Sequence, residues 1–148
     1  MSGETIIASA LVCDDIRKEE NGKAILIGVY GNNIILSKFP VTMHLSLWLQ
    51  GKAKDGDYRL ELGVEALSEG EAAPFQATRN LEFSIRDETG KGSSEFSIAM
   101  NQVPILLKGP GSLFVKIRQN DEDWTTLARK EVVLASSTTA PSEQSQPT

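Results

Sequence analysis

The residues with the chemistry to act are few: one cysteine, one histidine, and carboxylates gathered in turns. Cys13 stands in the run "LVCDD", directly before Asp14 and Asp15. As a nucleophile it would need a base and surroundings that stabilise a thiolate. Two adjacent carboxylates do the reverse, because like charge raises a thiol pKa. The single histidine, His44, falls by parity on the polar face of its strand with Thr42, Ser46 and Trp48. Cys13 shares parity with Ile7 and Leu11 in a run that reads as buried, so it is expected to be a packed, unreactive thiol. One cysteine and one histidine also fall short of the ligand set a zinc site needs. No Gly-rich phosphate loop is present, and no elbow motif selects one serine as a nucleophile. An enzyme with an unrecognised site is therefore the last of three readings.

The second reading concerns carboxylates. Asp55 and Asp57, Asp87 with Glu88, and Asp121 with Glu122 and Asp123 lie in connections between strands. In an antiparallel sandwich alternate connections share one end, so these turns should gather at one pole. Carboxylates from several loops can supply the roughly 6–8 oxygen ligands that calcium takes, as in C2-type domains. Ca²⁺ is the one cofactor this pattern offers, and a calcium- or small-ligand-binding sandwich is the alternative function. Turns also collect aspartates for backbone reasons alone. Asp14 and Asp15 join that pole if Gly31-Asn32 is a bend within one strand, and lie at the opposite pole if it closes a hairpin.

The first reading rests on aromatic side chains among polar ones: Trp48 beside His44, and Phe114 beside Lys116 and Arg118. Large amphipathic aromatics next to cations are enriched at protein interfaces. A non-catalytic protein-binding or assembly module, contacting a protein partner or a second copy through Trp48, His44, Phe114 and Arg118, is the function these residues support best.

Period-two alternation supplies the elements that position them. Val41, Met43, Leu45, Leu47 and Leu49 share one face of Val41–Gln50. Tyr58, Leu60, Leu62 and Val64 oppose Arg59, Glu61 and Glu65; Leu81, Phe83 and Ile85, then Phe96, Ile98 and Met100, then Leu113, Val115 and Ile117 repeat the pattern. Ile6–Cys13 and Ala24–Val29 are apolar on both parities and read as central strands. Turn signals occur at Asn21-Gly22, Gly31–Asn33, Gly56, Gly90 with Gly92, and Asn120–Asp123. In Trp124–Leu134 the inward parity fails, which predicts a bulge near Ala128–Lys130. The sum is an all-β fold: an antiparallel two-sheet β-sandwich of about eight or nine strands, Ig-like or C2-like, over residues 1–134. Residues 135–148 hold no aliphatic larger than alanine and are expected to form a flexible tail.

Composition narrows the partners. The 148 residues carry a formal charge of −5 and no clustered Lys/Arg run, which argues against nucleic acid and against an anionic membrane. No apolar run approaches the roughly 20 residues of a membrane span. A single cysteine makes no internal disulfide, so the expected compartment is the cytoplasm. The apolar run ending at Cys13 imitates a lipoprotein signal, but Glu4 and the lack of Lys or Arg before Arg17 give the wrong charge, and Val12 is too large for the cleavage position. The segment is expected to be part of the fold.

The run "LVCDDIRKEENGKAILIGVY", followed by Phe39-Pro40, resembles the opening signature of a family of bacterial and phage-borne proteins catalogued as a domain of unknown function. The resemblance implies a small soluble β-domain and brings no catalytic residues with it.

Overall fold

Alternating apolar residues can bury one face of a strand only against a second layer, and the chain provides two such layers. A computed structural model describes residues 7–86 and 92–136. Nine strands follow in order: β1 (Ile7–Lys18), β2 (Ala24–Val29), β3 (Asn33–Leu36), β4 (Val41–Ala53), β5 (Gly56–Ser68), β6 (Phe75–Ile85), β7 (Ser94–Leu107), β8 (Gly111–Gln119) and β9 (Thr125–Leu134). They form a four-stranded sheet ordered β2-β1-β4-β7 and a five-stranded sheet ordered β3-β9-β8-β5-β6. This is the two-sheet β-sandwich that the alternation implies.

The core lies between the sheets. Val12, Leu45, Leu47, Leu49 and Ile105 come from one side, and Leu62, Val64, Leu113, Val115 and Val132 from the other. Tyr58 stacks on Phe83 with ring centroids 5.6 Å apart, and Phe83 meets Phe96 across the sheets at 5.0 Å. Every side chain assigned inward from parity in β4, β5, β6, β7 and β8 belongs to this core or packs against it.

Three local features depart from the simple pattern. First, β2 is an edge strand, not a central one, and its odd residues face solvent: Ile25 is 43% exposed, Ile27 41% and Val29 49%. Only the even side, with Leu26 half-buried, turns inward. Second, a register shift between Ile7 and Ser9 reverses the parity of β1. Ile7 and Val12 both point to the core, whereas Leu11 and Cys13 lie on the outer face opposite Trp48 and Ser46. Third, the bulge in β9 falls at Leu127, since Val115 pairs with Ala128 and Lys116 with Thr126. That is one residue before the segment where the lost parity placed it.

At Gly31-Asn32 the chain reverses direction as a hairpin would, but the two arms join different sheets. The strand so delivered, β3, pairs with β9 in the fold's one parallel ladder among the described residues. No hairpin constrains this pair, because β3 and β9 are remote in sequence. The predicted turn residues take the backbone shapes expected of them: Gly22 has φ 88°, Asn120 55° and Asp121 66°. No helix is long and apolar enough to cross a membrane among the described residues.

Candidate functional site

The chemically suggestive residues divide between two opposite outer faces. Trp48 and His44 stand on the outer face of the four-stranded sheet, Phe114 and Arg118 on that of the five-stranded sheet. The structure therefore does not bring these four candidates together.

On the five-stranded sheet the groups are engaged with their own chain. Lys116 Nζ donates to Glu65 Oε1 at 2.6 Å, and Arg118 Nε donates to Glu61 Oε1 at 2.8 Å. Hydrogen bonding to Lys116, with a second bond from Gln76, holds the Glu65 carboxyl below its ordinary value. The Phe114 ring has the Lys116 and Arg129 cations each 5.5 Å from its centroid. Trp124, which parity did not single out, folds over β5 with the Arg118 guanidinium 4.5 Å from its ring centre. It rests on Gly63, where a Cβ would come within 3.1 Å of the indole. The signal for it was present in the sequence, because a glycine inside an alternating strand marks a close approach by another group. Glu61, Glu65, Lys116, Arg118 and Trp124 border an open concavity of about 480 Å³, whose charges are paired with one another.

The four-stranded sheet differs. Leu11, 41% exposed, lies opposite half-buried Trp48, which in turn lies opposite Ala99 on β7. Along the sheet edge Val29, Ile27 and Ile25 oppose Cys13, Asp15 and Arg17 on the same face. Cross-strand partners share a face, so this surface carries the Leu11–Trp48 pair and, at its β2 edge, Val29, Ile27 and Ile25 beside the Asp15–Arg17 ion pair. His44 is exposed farther along β4, opposite Pro104.

This surface is braced by a polar cluster beside it. Ser46 Oγ donates to Asn101 Oδ1 at 3.0 Å and accepts from Gln102 N at 3.2 Å, while Ile16 N donates to Asn101 Oδ1 at 3.2 Å. Gln102 Nε2 donates to the Asp14 carbonyl at 3.0 Å. Gln102 takes φ 55° where β7 gains an extra residue relative to β4, and the cluster ties β7 across β4 to β1. Tyr30 Oη donates to Asp14 Oδ1 at 2.6 Å. Burial, then that bond and the negative charge of Asp14, push the Tyr30 hydroxyl up to about 12.

Cys13 is fully buried, with its Sγ 3.6 Å from the carbonyl oxygens of Asp15 and Ser46. Burial raises its pKa, and the charges of Asp14 and Asp15 add to the rise. His44 and Cys13 share an outer face after all, but the thiol's contacts are those backbone carbonyls.

The acidic residues occupy one end of the sandwich, as alternate connections should: Asp55 and Asp57 at the start of β5, Asp121 and Asp123 after β8. Asp87 and Glu88 lie outside the described residues. Asp57 accepts from Ser84 Oγ at 2.7 Å and Arg86 Nη2 at 3.1 Å, bonds that lower its pKa. It borders a second open concavity, of about 640 Å³, with Arg59, Glu82 and Asn120. Among the described residues no three His, Cys, Asp or Glu side chains are grouped to hold a metal ion. Asp14 and Asp15 stand toward the other end, where the reversal at Gly31-Asn32 puts them.

Among solved structures the chain is similar to a β-glucosidase, EmGH1, from Erythrobacter marinus, with 10% identity and a TM-score of 0.42 over 86% of this chain and 15% of that one. It is also similar to a β-glucosidase from Listeria innocua, free and in complex with glucose, each with 10% identity and a TM-score of 0.37 over 69% of this chain. The chain spans only about 15% of the length of these structures, and at those scores the likeness implies nothing about activity. No curated protein matches. Residues 8–128 match DUF6941, a family of unknown function, and the chain belongs to that family.

Proposed function

We propose that this member of the DUF6941 family is a non-catalytic protein-binding or assembly module whose contact surface is the outer face of the four-stranded sheet. One observation carries the reading: Leu11, 41% exposed, lies opposite Trp48, and the same outer face exposes Val29, Ile27 and Ile25 along its β2 edge. Single exposed apolar residues are ordinary, but several on one face that also carries an aromatic are the composition of an interface. The opposite outer face supports this choice by contrast, since its aromatics and cations are already paired with each other. The non-catalytic part of the reading draws on Cys13, whose burial and raised pKa deny it nucleophilic chemistry.

The test is affinity capture in the native host with the wild-type chain and with Leu11→Lys, followed by calorimetry on the purified partner. Leu11 is exposed, so the lysine variant should fold normally and lose its partner. Stoichiometric binding that Leu11→Lys leaves unchanged would overturn the assignment of this face.

A further inference from the structure

We infer that Asn21 is a site of spontaneous deamidation, and that the turn joining β1 to β2 governs when it reacts.

Asn21-Gly22 is the one Asn-Gly step in the chain, and both residues are exposed. The carboxamide carbon of an asparagine is open to attack by the main-chain nitrogen of the next residue. A side chain on that residue crowds the attack; Gly22 has none, and a Cβ built there would meet nothing within 4 Å. Water is the one co-reactant. The Gly22 nitrogen gives up its proton and bonds to Asn21 Cγ, the side-chain nitrogen leaves as ammonia, and a five-membered succinimide closes. Water then adds to one of the two ring carbonyls and breaks its bond to nitrogen. Opened on one side, the ring leaves an aspartate; opened on the other, it leaves an isoaspartate, whose main chain runs on through Cβ and Cγ.

The folded turn withholds the attacking nitrogen. Gly22 N donates to Glu19 O at 3.0 Å, and Glu19 N donates to Lys23 O at 2.8 Å. Gly22 takes φ 88°, whereas neither Glu20 nor Asn21 has a positive φ. Those signs rule out types I′, II′ and II, and leave a type I turn closed by a left-handed glycine, with ψ of about 0° at Asn21. Ring closure needs the Gly22 nitrogen to eclipse the Asn21 Cα–Cβ bond, and at that ψ it is turned aside. The side chain is held too, because Lys23 N donates to Asn21 Oδ1 at 3.1 Å. The reaction therefore waits for the Gly22–Glu19 bond to break and for Asn21 to rotate.

The product changes the hairpin that made it. An isoaspartate adds a main-chain carbon to the short loop between Glu19 and Lys23, from which the register of Lys18 opposite Ala24 and Arg17 opposite Ile25 begins. Either product sets a new carboxylate beside Glu19 and Glu20. Among the described residues β2 pairs only with β1, so loosening this turn frays β2 from its start.

Peptide mapping by mass spectrometry tests the site on the full chain, aged in mildly alkaline buffer both folded and in denaturant. The denatured chain should convert Asn21 before any other asparagine, and the folded chain should convert it at least about tenfold more slowly, since the turn has to open first. The Gly22 amide of fresh protein should be protected from hydrogen exchange despite its exposure, and the isoaspartyl form should lose that protection and exchange faster along β2. A denatured chain that keeps Asn21 intact overturns the site, as does an amide-to-acid mass gain in this peptide that survives Asn21→Gln. Folded and denatured chains reacting at the same rate, or a Gly22 amide that exchanges as freely as an unfolded one, overturn the control by the turn.

Discussion

Asp14 shows how one residue, through side chain and backbone together, can organise an edge. Its carboxylate accepts the Tyr30 hydroxyl, and its carbonyl accepts from Gln102. Because Tyr30 keeps its proton to about 12 when folded against 10 when unfolded, its contribution to stability is complete below pH 10 and is lost as the pH rises toward 12. Asp14→Asn should lower the Tyr30 titration seen in tyrosinate absorbance and shift that loss to lower pH; an unmoved titration would show that the bond does not form in solution. Cys13 should react with a thiol reagent far more slowly in the native chain than after denaturation, and rapid native labelling would contradict its burial. That burial was legible in the sequence, although its stated basis was not. Parity placed Cys13 inward with Ile7, but the register shift at Ile7/Ser9 turns it outward, where the Asp15 and Ser46 carbonyls enclose it.

At the scale of the strand, alternation located β4, β5, β6, β7 and β8 because each has one face in water and one in the core. It failed at β2 for a physical reason: a run apolar on both parities is the mark of a strand covered on both faces, and also of an edge strand whose outer face is made for contact. No pattern within one strand separates the two. Phe114 and Arg118 were picked out for the same aromatic-cation pairing as Trp48 and His44, and only the sheet order shows that the pairs face away from each other. The glycine in β2 follows from the fold. Gly28 has φ 69°, and a Cβ there would run into the Asp14 carboxylate. Gly28→Ala should cost about 1–2 kcal/mol for the left-handed backbone before the clash is counted. Denaturant melting that finds the variant as stable as the wild type would show that β2 relaxes freely.

For the whole molecule, the two outer faces differ in where their aromatic side chains stand: Phe114 and Trp124 lie against cations, whereas Trp48 lies opposite exposed Leu11. Both outer faces pair charges, Glu61–Arg118 and Glu65–Lys116 on the five-stranded sheet and Asp15–Arg17 on the four-stranded one, and both expose apolar side chains, but on the four-stranded face exposed Leu11 lies directly opposite Trp48. The acidic end, legible in the sequence as a pole, does not group three carboxylates among the described residues. Calcium at about 1 mM should leave the melting temperature unchanged, because only an ion bound by the folded state raises it. A clear rise would show that a site is completed there. Calorimetry of the captured partner against two variants tests most directly which outer face binds. Trp48→Ala should weaken binding by more than about 1 kcal/mol, the mark of an interface anchor, while Phe114→Ala on the opposite face leaves the affinity unchanged. The reverse order, with Phe114→Ala weakening binding and Trp48→Ala without effect, would contradict the account.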